Sequence, residues 1–247
     1  MPGVGLRQRG MIPRRPLHPD PSHPLAAGLI FCQFSGNEQG RGVSVSWGQG
    51  TYGRASATTG NSGGFGVPLR CKWPSAGLHD WTMFTVVRAT ADSAYAALFE
   101  IPHNPTNTLW QSPYHAFLIS RDSADRGPTQ GTNDGAGYEV IGHAGTDYFL
   151  VDGAPHSYAA SWGTQGGVWW RDGVKWGTNS ATPNGSSAQA MVVSGAGEIV
   201  FGGRSVSAPG EGYTGEGDVQ ALWGRRLSQL EIQMAHNDIF SLFRDGR

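Results

Sequence analysis

The sequence predicts an all-β protein, and three observations carry that prediction. Short aromatic or β-branched segments recur along the chain, separated by stretches rich in Gly, Asp and Asn. Gly is frequent, with 38 residues, and Trp is abundant, with nine, a composition typical of many turns that join short aromatic strands. A tryptophan-rich hairpin lies within residues 157–178. The 247 residues suffice for one large β-sandwich or two small domains.

The hairpin is predicted from the dipeptide Asp172-Gly173, a type I′ turn signal in which both residues adopt positive φ. This turn pairs Trp170 with Lys175 and Trp169 with Trp176. Because strand side chains alternate, each pair occupies its own face of the hairpin. Packing in the core accounts for these aromatic residues without any further function.

The other strands are predicted from the same alternation, with polar loops at 51–64, 120–137 and 177–187. The predicted strands are residues 28–34, 43–47, 67–73, 81–88, 95–101, 115–121, 138–141, 148–151, 158–162, 198–203 and 219–223, together with the two sides of the hairpin.

A single helix is predicted over residues 228–243. Ser228 and Glu231 form a capping box, in which each side chain satisfies a free backbone N–H of the other. An apolar stripe that should cover one side of the sandwich follows at Ile232, Ala235, Ile239 and Phe243.

Residues 1–27 are predicted to form an extended arm ahead of a single domain at 28–247. The segment holds six of the 15 Pro, four Arg and one Asp, so its charge is +3, which leaves −4 for the rest of a chain whose net charge is −1. Pro13, Pro16 and the other prolines exclude a helix and favour an extended course. The arm either docks onto an acidic partner surface through Arg7, Arg9, Arg14 and Arg15 or folds back onto its own domain.

Charge and cysteine content exclude several classes of function. A net charge of −1 does not favour nucleic acid as a partner. Cys32 and Cys71 have no metal-ligand spacing, and two buried free thiols are favoured over a bridge. The first residues lack the apolar core of a signal peptide, and the longest apolar run, 25–32, is too short to span a bilayer, so we expect synthesis in the cytoplasm.

Two segments near the ends of the chain carry a resemblance to a known family. Residues 221–243, ALWGRRLSQLEIQMAHNDIFSLF, and residues 22–29, SHPLAAGL, resemble motifs of laminin-G-like (concanavalin A-like) jelly-roll proteins of tailed bacteriophages. The residues that match the first motif are Trp223, Arg225, Leu227, Ser228, Glu231, Ile232, Asn237, Leu242 and Phe243. The chain departs from the family pattern after Asn237, where Asp238-Ile239-Phe240 replaces the usual Pro-Trp. The hairpin at Asp172-Gly173 is similar to a third family feature.

The resemblance implies two antiparallel sheets packed face to face and a place in a virion, with no catalytic residues. Hydrolases of the jelly-roll superfamily carry a motif E-x-D-x-x-E, which aims its carboxylates into one cleft. Glu216 and Asp218 match the first two positions, but Ala221 occupies the third. We therefore expect no enzymatic activity, although polysaccharide hydrolysis remains the alternative that tests this expectation.

Two kinds of ligand site are open to the predicted loops. Asp122, Asp125, Asn133 and Asp134 supply the oxygen ligands that calcium prefers, and calcium is common in the resembling superfamily, but these residues also suit ordinary turns. No other cofactor is expected. Trp73, Trp110, Tyr114 and Tyr148 lie at strand ends, where their rings either stack on sugars or cap the core. His79, His103, His143 and His156 lie in or beside loops and are expected to make surface hydrogen bonds.

These observations lead to the hypothesis of a non-enzymatic virion structural protein, most simply a capsid decoration protein held on the particle by its arm. Its partners are then other virion proteins or sister copies. The alternative is an adhesin on tail or capsid that binds a host glycan through its loops.

Overall fold

The computed structural model describes residues 18–34, 43–46, 69–72, 80–91, 97–101, 114–118, 129–133, 138–142, 150–162, 168–176, 198–201 and 214–244. Their strands are β1 His18–Pro19, β2 Leu29–Phe34, β3 Val43–Ser46, β4 Leu69–Lys72, β5 Trp81–Ala91, β6 Ala97–Ile101, β7 Tyr114–Leu118, β8 Thr129–Asn133, β9 Tyr138–Gly142, β10 Pro155–Trp162, β11 Val168–Arg171, β12 Val174–Lys175, β13 Glu198–Phe201, β14 Thr214–Trp223 and β15 Phe243–Arg244. The helix α1 is Gln229–Asp238, and 3₁₀ turns lie at Pro24–Ala26 and Ile239–Leu242.

The strands form two large antiparallel sheets, which confirms the predicted sandwich. The seven-stranded sheet has the order β12-β11-β10-β5-β14-β2-β3, and the six-stranded sheet has the order β4-β13-β6-β7-β8-β9. A separate two-stranded ladder joins β1 to β15. No described helix has the length and apolar character needed to cross a membrane.

Both faces of the seven-stranded sheet are buried in its central strands. Phe84, Ala159 and Ala221 lie opposite one another across β5, β10 and β14, and they belong to one apolar cluster with Ile232 and Ala235 of α1. We call this the helix-covered face. The residues that alternate with them are also buried and form the other face: Trp81, Met83, Tyr158, Trp169, Trp176 and Leu222. Burial on both sides is what a sheet needs when a helix covers one face and a second sheet packs on the other.

The tryptophan hairpin has the predicted register. Trp170 pairs with Lys175 and Arg171 with Val174, while the backbone N–H of Trp176 donates to the carbonyl of Trp169 at 2.8 Å. Asp172 has φ 51° and Gly173 has φ 75°, as a type I′ turn requires. The third strand of the predicted meander is β10, which pairs with β11.

Two predictions about the strands are wrong. Residues 120–137 were expected to form a loop throughout, but residues 129–133 form β8, which pairs with β7 and β9. Neighbouring strands on both sides satisfy its backbone, although its Gly and Asn favour turns. Residues 148–151 were expected to form a strand, yet 150 and 151 are irregular because a turn begins there, in which Asp152 Oδ1 accepts from the N–H of Ala154 at 2.8 Å.

The C-terminal helix begins as predicted and ends earlier. The capping box of Ser228 and Glu231 is present in both directions. The α-helix stops at Asp238, a 3₁₀ turn follows, and Phe243 lies in β15 rather than in the helix. Ser241 accounts for the change, because its N–H donates to Asp238 Oδ1 and its hydroxyl donates to the Asp238 carbonyl, bonds that compete with helical ones. All four residues of the predicted apolar stripe are nevertheless buried.

The two segments that carry the family resemblance lie against each other, an arrangement we call the terminal clasp (residues 24–28 with residues 223–231). The buried indole N–H of Trp223 donates to the carbonyl of Leu25 at 2.7 Å. Arg225 donates through Nε to the carbonyl of Ala27 at 2.7 Å and through Nη2 to the carbonyl of Pro24 at 2.9 Å. The motif residues therefore close the domain by holding its first and last parts together.

Glu231 connects the clasp to α1. Its Oε1 accepts from Arg225 Nη2 at 2.6 Å, while its Oε2 accepts from both the N–H and the hydroxyl of Ser228 at 2.8 Å. Burial alone would raise the pKa of this carboxyl, but the hydrogen bonds from Arg225 and Ser228 lower it overall. One carboxylate thus caps the helix and neutralises the clasp arginine.

The end of the predicted arm is packed on the domain. Pro24–Ala26 forms a 3₁₀ turn rather than an extended segment, and Leu25 is fully buried. Pro is accepted at the first position of such a turn because its missing N–H has no partner there in any case, and His23 Nδ1 accepts from the N–H of Leu25 at 3.2 Å. Residues 1–17, with Arg7, Arg9, Arg14, Arg15, Pro13 and Pro16, lie outside the described residues.

Cys32 is a free thiol at the centre of the helix-covered cluster. It is fully buried, and burial raises the pKa of the thiol far above its ordinary value. The expected unbridged state is confirmed for this cysteine, which acts as a small apolar core residue.

Candidate functional site at the hairpin tip

Most residues predicted from loops for ligand binding lie outside the described part of the chain, namely Trp73, Trp110, Tyr148, Asp122, Asp125 and Asp134. Two lie in strands. Tyr114 opens β7, and its direct partner in the ladder is Asn133, the last residue of β8. Asn133 in turn pairs with Tyr138, which opens β9. One glycan candidate and one calcium candidate therefore share a row at one end of the six-stranded sheet. Within the described segments, no group of three or more His, Cys, Asp or Glu is arranged to hold a metal ion.

The hydrolase motif is interrupted within β14. The register against β5 shifts between Gly217, which pairs with Val87, and Val219, which pairs with Val86. Asp218 is thus the extra residue of a bulge, so the regular alternation that would align Glu216 and Asp218 with a third carboxylate is lost. At the third position, Ala221 is fully buried in the cluster beneath α1.

The described residues bring together a polar group at the tip of the tryptophan hairpin, the hairpin-tip cluster. It consists of Asp152, His156, Ser157, Asp172 and His236. The turn residue Asp172 is central, because its Oδ1 accepts from the N–H of Ser157 at 3.0 Å and its own N–H donates to the Ser157 carbonyl at 2.9 Å. These bonds fix the turn against the start of β10.

His156 lies between two carboxylates. Its Nδ1 is 2.8 Å from Asp172 Oδ2, and its Nε2 is 3.2 Å from both carboxylate oxygens of Asp152. An ionised carboxylate only accepts hydrogen bonds, so both contacts are satisfied when both ring nitrogens carry a proton. The bond to Asp172, against the opposing effect of burial, raises the pKa of His156 above its ordinary value of 6.5.

The pKa values of the two carboxyls at the tip shift the other way and lie below their ordinary value. The hydrogen bond from the N–H of Ala154, with a smaller contribution from His156, lowers the pKa of Asp152 below its ordinary 3.8. Burial alone would raise the pKa of Asp172, but the hydrogen bonds from His156 and Ser157 lower it overall. At neutral pH the tip therefore holds two ionised carboxylates around one imidazole.

Helix α1 contributes the second histidine. His236 Nδ1 lies 2.9 Å from the hydroxyl of Ser157, and the ring lies over Gly173, where an added Cβ would be 3.1 Å from His236 Cδ2. One face of α1 makes all these contacts, because Gln229, seven residues earlier, accepts from the Trp170 indole at 2.8 Å and donates to the Gly173 carbonyl at 2.7 Å. Burial lowers the pKa of His236, the charge of Asp172 opposes that effect, and the charge of His156 reinforces it.

The composition Ser157, His236 and Asp172 resembles a catalytic triad, but the geometry does not support nucleophilic catalysis. The side chain of Ser157 is buried, with 4% of the residue exposed, and α1 covers it. The oxygens of Asp172 are used by His156 and by the backbone of Ser157 rather than by His236. A nucleophile needs access to substrate and a base oriented by its acid, and this serine has neither.

The opposite face of the hairpin is aromatic. The rings of Tyr158 and Trp176 are 5.6 Å apart at an angle of 53°, and the Arg171 guanidinium carbon lies 4.9 Å from the centre of the Trp176 ring. Arg171 thus caps the aromatic pair with a cation–π contact. Trp176 is only 5% exposed, so it belongs to the core and offers no platform for a ligand.

Sequence reasoning identified only part of this cluster. It placed Asp172 in the turn and expected a surface hydrogen bond for His156, but it did not single out Asp152, Ser157 or His236. The available signal was the spacing of Gln229 and His236, two polar residues seven apart beside the apolar stripe of the helix. Their partner surface was not evident, because it requires the tertiary pairing of hairpin and helix.

Comparison with known proteins supports the fold. No protein-family model matches the chain, and no curated protein matches it. Among solved structures, the binding domain of Paraclostridial Mosquitocidal Protein 1 is similar with a TM-score of 0.56 and 10% identity, covering 86% of this chain and 52% of that one. This likeness in fold agrees with the two-sheet antiparallel sandwich described above.

Two similar structures contain sugars. Domain 4 of a GH43 extracellular arabinanase from Geobacillus stearothermophilus, in complex with arabinotriose, has a TM-score of 0.50 and 11% identity, covering 76% of this chain and 82% of that one. The CBM40 of the Ruminococcus gnavus IT-sialidase, bound to α2,3-sialyllactose, has a TM-score of 0.48 and 14% identity, covering 66% of this chain and 84% of that one.

Proposed function

We propose that this chain is a glycan-binding jelly-roll protein without catalytic activity of its own. The observation that carries the proposal is the sandwich fold, which the chain has in common with an arabinanase domain in complex with arabinotriose. This reverses the order of the two hypotheses drawn from the sequence, in which decoration of a particle came first and glycan binding second.

The interruption of the hydrolase motif supports the non-catalytic part of the proposal. A glycosidase needs two carboxyl groups on either side of the scissile bond. Here the third motif position is the buried Ala221, and the bulge at Asp218 breaks the alignment of the remaining two acids. Loss of polysaccharide cleavage on Glu216→Gln, measured as release of reducing sugar, would contradict this part of the proposal.

We place glycan binding at the four aromatic residues that the sequence analysis singled out for it, Trp73, Trp110, Tyr114 and Tyr148. Aromatic rings stack on the apolar faces of sugars, while nearby amides and carboxylates bind their hydroxyls. The strand register supports this placement, because Tyr114 pairs with Asn133 and Asn133 pairs with Tyr138 at one end of the six-stranded sheet. We keep Asp122, Asp125, Asn133 and Asp134 as the calcium ligands of this proposal, of which Asn133 belongs to the row.

The test is a glycan array probed with the purified full-length chain, including arabinotriose and sialyllactose, followed by calorimetry on any glycan that binds. Replacing Tyr114 or Trp73 by Ala should weaken binding about tenfold or more, the equivalent of ~1.4 kcal/mol. Val174→Ala is the matched control, since Val174 is 64% exposed on the other sheet. Binding to no glycan, or affinities unchanged in all four aromatic variants, would refute the proposal. If a chelator leaves the affinity for the glycan unchanged, calcium has no part in the binding.

We further propose that residues 1–17 attach the domain to a larger assembly, as the phage resemblance implied for a virion protein docked on capsid or tail subunits. This segment carries four Arg and no acid, and it precedes the first residues packed on the domain. Arg binds acidic grooves through paired donors. Deleting residues 1–17, which spares β1, should abolish incorporation into particles while leaving the unfolding temperature unchanged. Unchanged occupancy would refute the attachment.

A further inference from the structure

We propose that the hairpin-tip cluster is a pH-sensitive latch that takes up two protons in sequence. The first, on His156, locks the Asp172-Gly173 turn onto β10. The second, on His236, loosens the C-terminal half of α1 from the hairpin.

The locked state depends on the position of His156 between Asp152 and Asp172. A protonated ring donates to both carboxylates at once, at 2.8 Å and 3.2 Å. A neutral ring has one donor and one acceptor, so one of the two contacts becomes a repulsion between lone pairs. Since Asp172 also holds the backbone of Ser157, losing the proton weakens the join between the turn and β10.

The released state depends on His236. In the neutral tautomer that carries its proton on Nε2, Nδ1 accepts from the hydroxyl of Ser157 at 2.9 Å, and the ring covers Gly173. A protonated ring must instead donate from Nδ1 to the hydroxyl oxygen, which leaves the serine proton without this acceptor, and it places a second positive charge beside protonated His156. The bonds of Gln229 to Trp170 and Gly173 involve no titratable group, and Ala235 and Ile239 stay packed in the core. The N-terminal turn of α1 therefore stays attached, while the contact of His236 with the hairpin weakens.

The charged groups around the cluster make His156 and His236 take up their protons at different pH values. From the segment before β10, Asp152 faces His156, and from the turn, Asp172 faces both histidines. Arg171 lies over Trp176 on the opposite face of the hairpin, and Lys175 is exposed on the face of Trp170. On α1, Glu231 is paired with Arg225 in the clasp, and Asp238 is exposed. Among the described residues, the charge of Asp172 thus attracts a proton to His236, while the charge of His156 repels it.

The two histidines affect stability in opposite pH ranges. The pKa of His156 is raised, so its contribution is complete below the ordinary value of 6.5 and is lost as the pH rises through the raised value. The pKa of His236 is lowered, so its contribution is complete above 6.5 and is lost as the pH falls toward the lowered value. Stability should therefore be greatest near pH 6.5 and fall on both sides. Asp152 and Asp172 lose their contributions only below 3.8, outside this range.

The experiment is a histidine side-chain NMR titration of the full-length chain from about pH 5 to about pH 8, with thermal unfolding at the same pH values. In the wild type, His156 should titrate above and His236 below the ordinary value. His156→Gln should remove the loss of stability at high pH and raise the pKa of His236, because the positive charge of His156 no longer lies beside it. His236→Asn, which keeps an acceptor near the position of Nδ1, should remove the loss at low pH.

His23→Asn is the matched control, because His23 Nδ1 also accepts a hydrogen bond, from Leu25, but lies outside the cluster. Both losses of stability should persist in this variant. The proposal is overturned if the two histidines of the wild type titrate together, or if His236 keeps its pKa in His156→Gln. The wild-type titration decides the first point even where a variant does not fold.

Discussion

The terminal clasp and the hairpin tip both hold α1 on the seven-stranded sheet, but they do so with different chemistry. The clasp uses an indole N–H, an arginine and the backbone carbonyls of Pro24, Leu25 and Ala27. The tip uses two histidines, two aspartates and a serine hydroxyl. A guanidinium stays charged at every pH at which proteins fold, whereas an imidazole titrates near neutrality.

This difference separates a permanent closure from an adjustable one. The acceptors that residues 24–27 contribute to the clasp are main-chain carbonyls, so no side-chain substitution in that segment removes them. The side-chain contacts of the tip involve imidazoles and carboxylates, whose charge or hydrogen-bonding role changes with pH. The hydrogen bonds that hold α1 at the clasp should therefore not change with pH, whereas those at the hairpin tip should change.

The largest effect should come from removing the indole of the clasp. Trp223 is fully buried, and Trp223→Ala leaves a cavity together with an unpaired Leu25 carbonyl, at a cost of about 3–5 kcal/mol in the free energy of unfolding. Chemical denaturation with a constant slope measures the loss. Leu230→Ala is the control, because Leu230 is 66% exposed on α1 and should change stability by less than about 0.5 kcal/mol. Similar losses in the two variants would show that the clasp is not a point of closure.

The next effect tests whether the clasp depends on the shape of the guanidinium. Arg225→Ala leaves two carbonyls and the Glu231 carboxylate without this donor and should cost about 2 kcal/mol. Arg225→Lys keeps the charge but supplies a single point of donation, so we expect about half of that loss. Denaturation midpoints measured at two salt concentrations separate charge from geometry. If Arg225→Lys is as stable as the wild type, the clasp depends only on the charge of residue 225 and not on the shape of the guanidinium.

The smallest effect compares two glycines with the same backbone conformation. Gly153 and Gly173 both have φ 75°, where an alanine is strained by about 1–2 kcal/mol. A Cβ at Gly153 meets only Thr90 Cγ2 at 3.7 Å, whereas a Cβ at Gly173 meets His236 Cδ2 at 3.1 Å. Gly173→Ala should therefore destabilise the protein more than Gly153→Ala, by roughly a further 1 kcal/mol. If the two variants lose the same stability in thermal unfolding, His236 moves away from the added Cβ at no cost.

Local signals predicted the parts of the fold that depend on nearby residues. The Asp172-Gly173 turn and the Ser228-Glu231 cap were identified correctly, because each follows from hydrogen bonds between residues close in the chain. The strand β8 was missed because its Gly and Asn favour turns, and only its partners β7 and β9 make it a strand. The helix end was placed too late because the periodicity of the apolar stripe continues through a 3₁₀ turn.

The candidate site was less accessible to prediction. Ser157 and His236 are 79 residues apart, and neither belongs to a recognisable motif. Their contact follows from the way α1 crosses the hairpin, and the i, i+3, i+4 pattern of the apolar stripe gives only the core face of that helix. The clasp residues were singled out for a different reason, because they resemble a family pattern. The sequence did not indicate that Trp223 and Leu25 are joined by a hydrogen bond.

The hydrogen bond between Trp223 and Leu25 also affects the order in which the chain folds during its synthesis. Leu25 and Trp223 are separated by 198 positions, so the indole reaches its acceptor only after almost the entire described chain has left the ribosome. Until then, the apolar residues that α1 later covers on the seven-stranded sheet remain open to solvent and to chaperones. Closure of the two ends should therefore be a late folding event, and a nascent chain arrested before residue 223 should stay sensitive to protease.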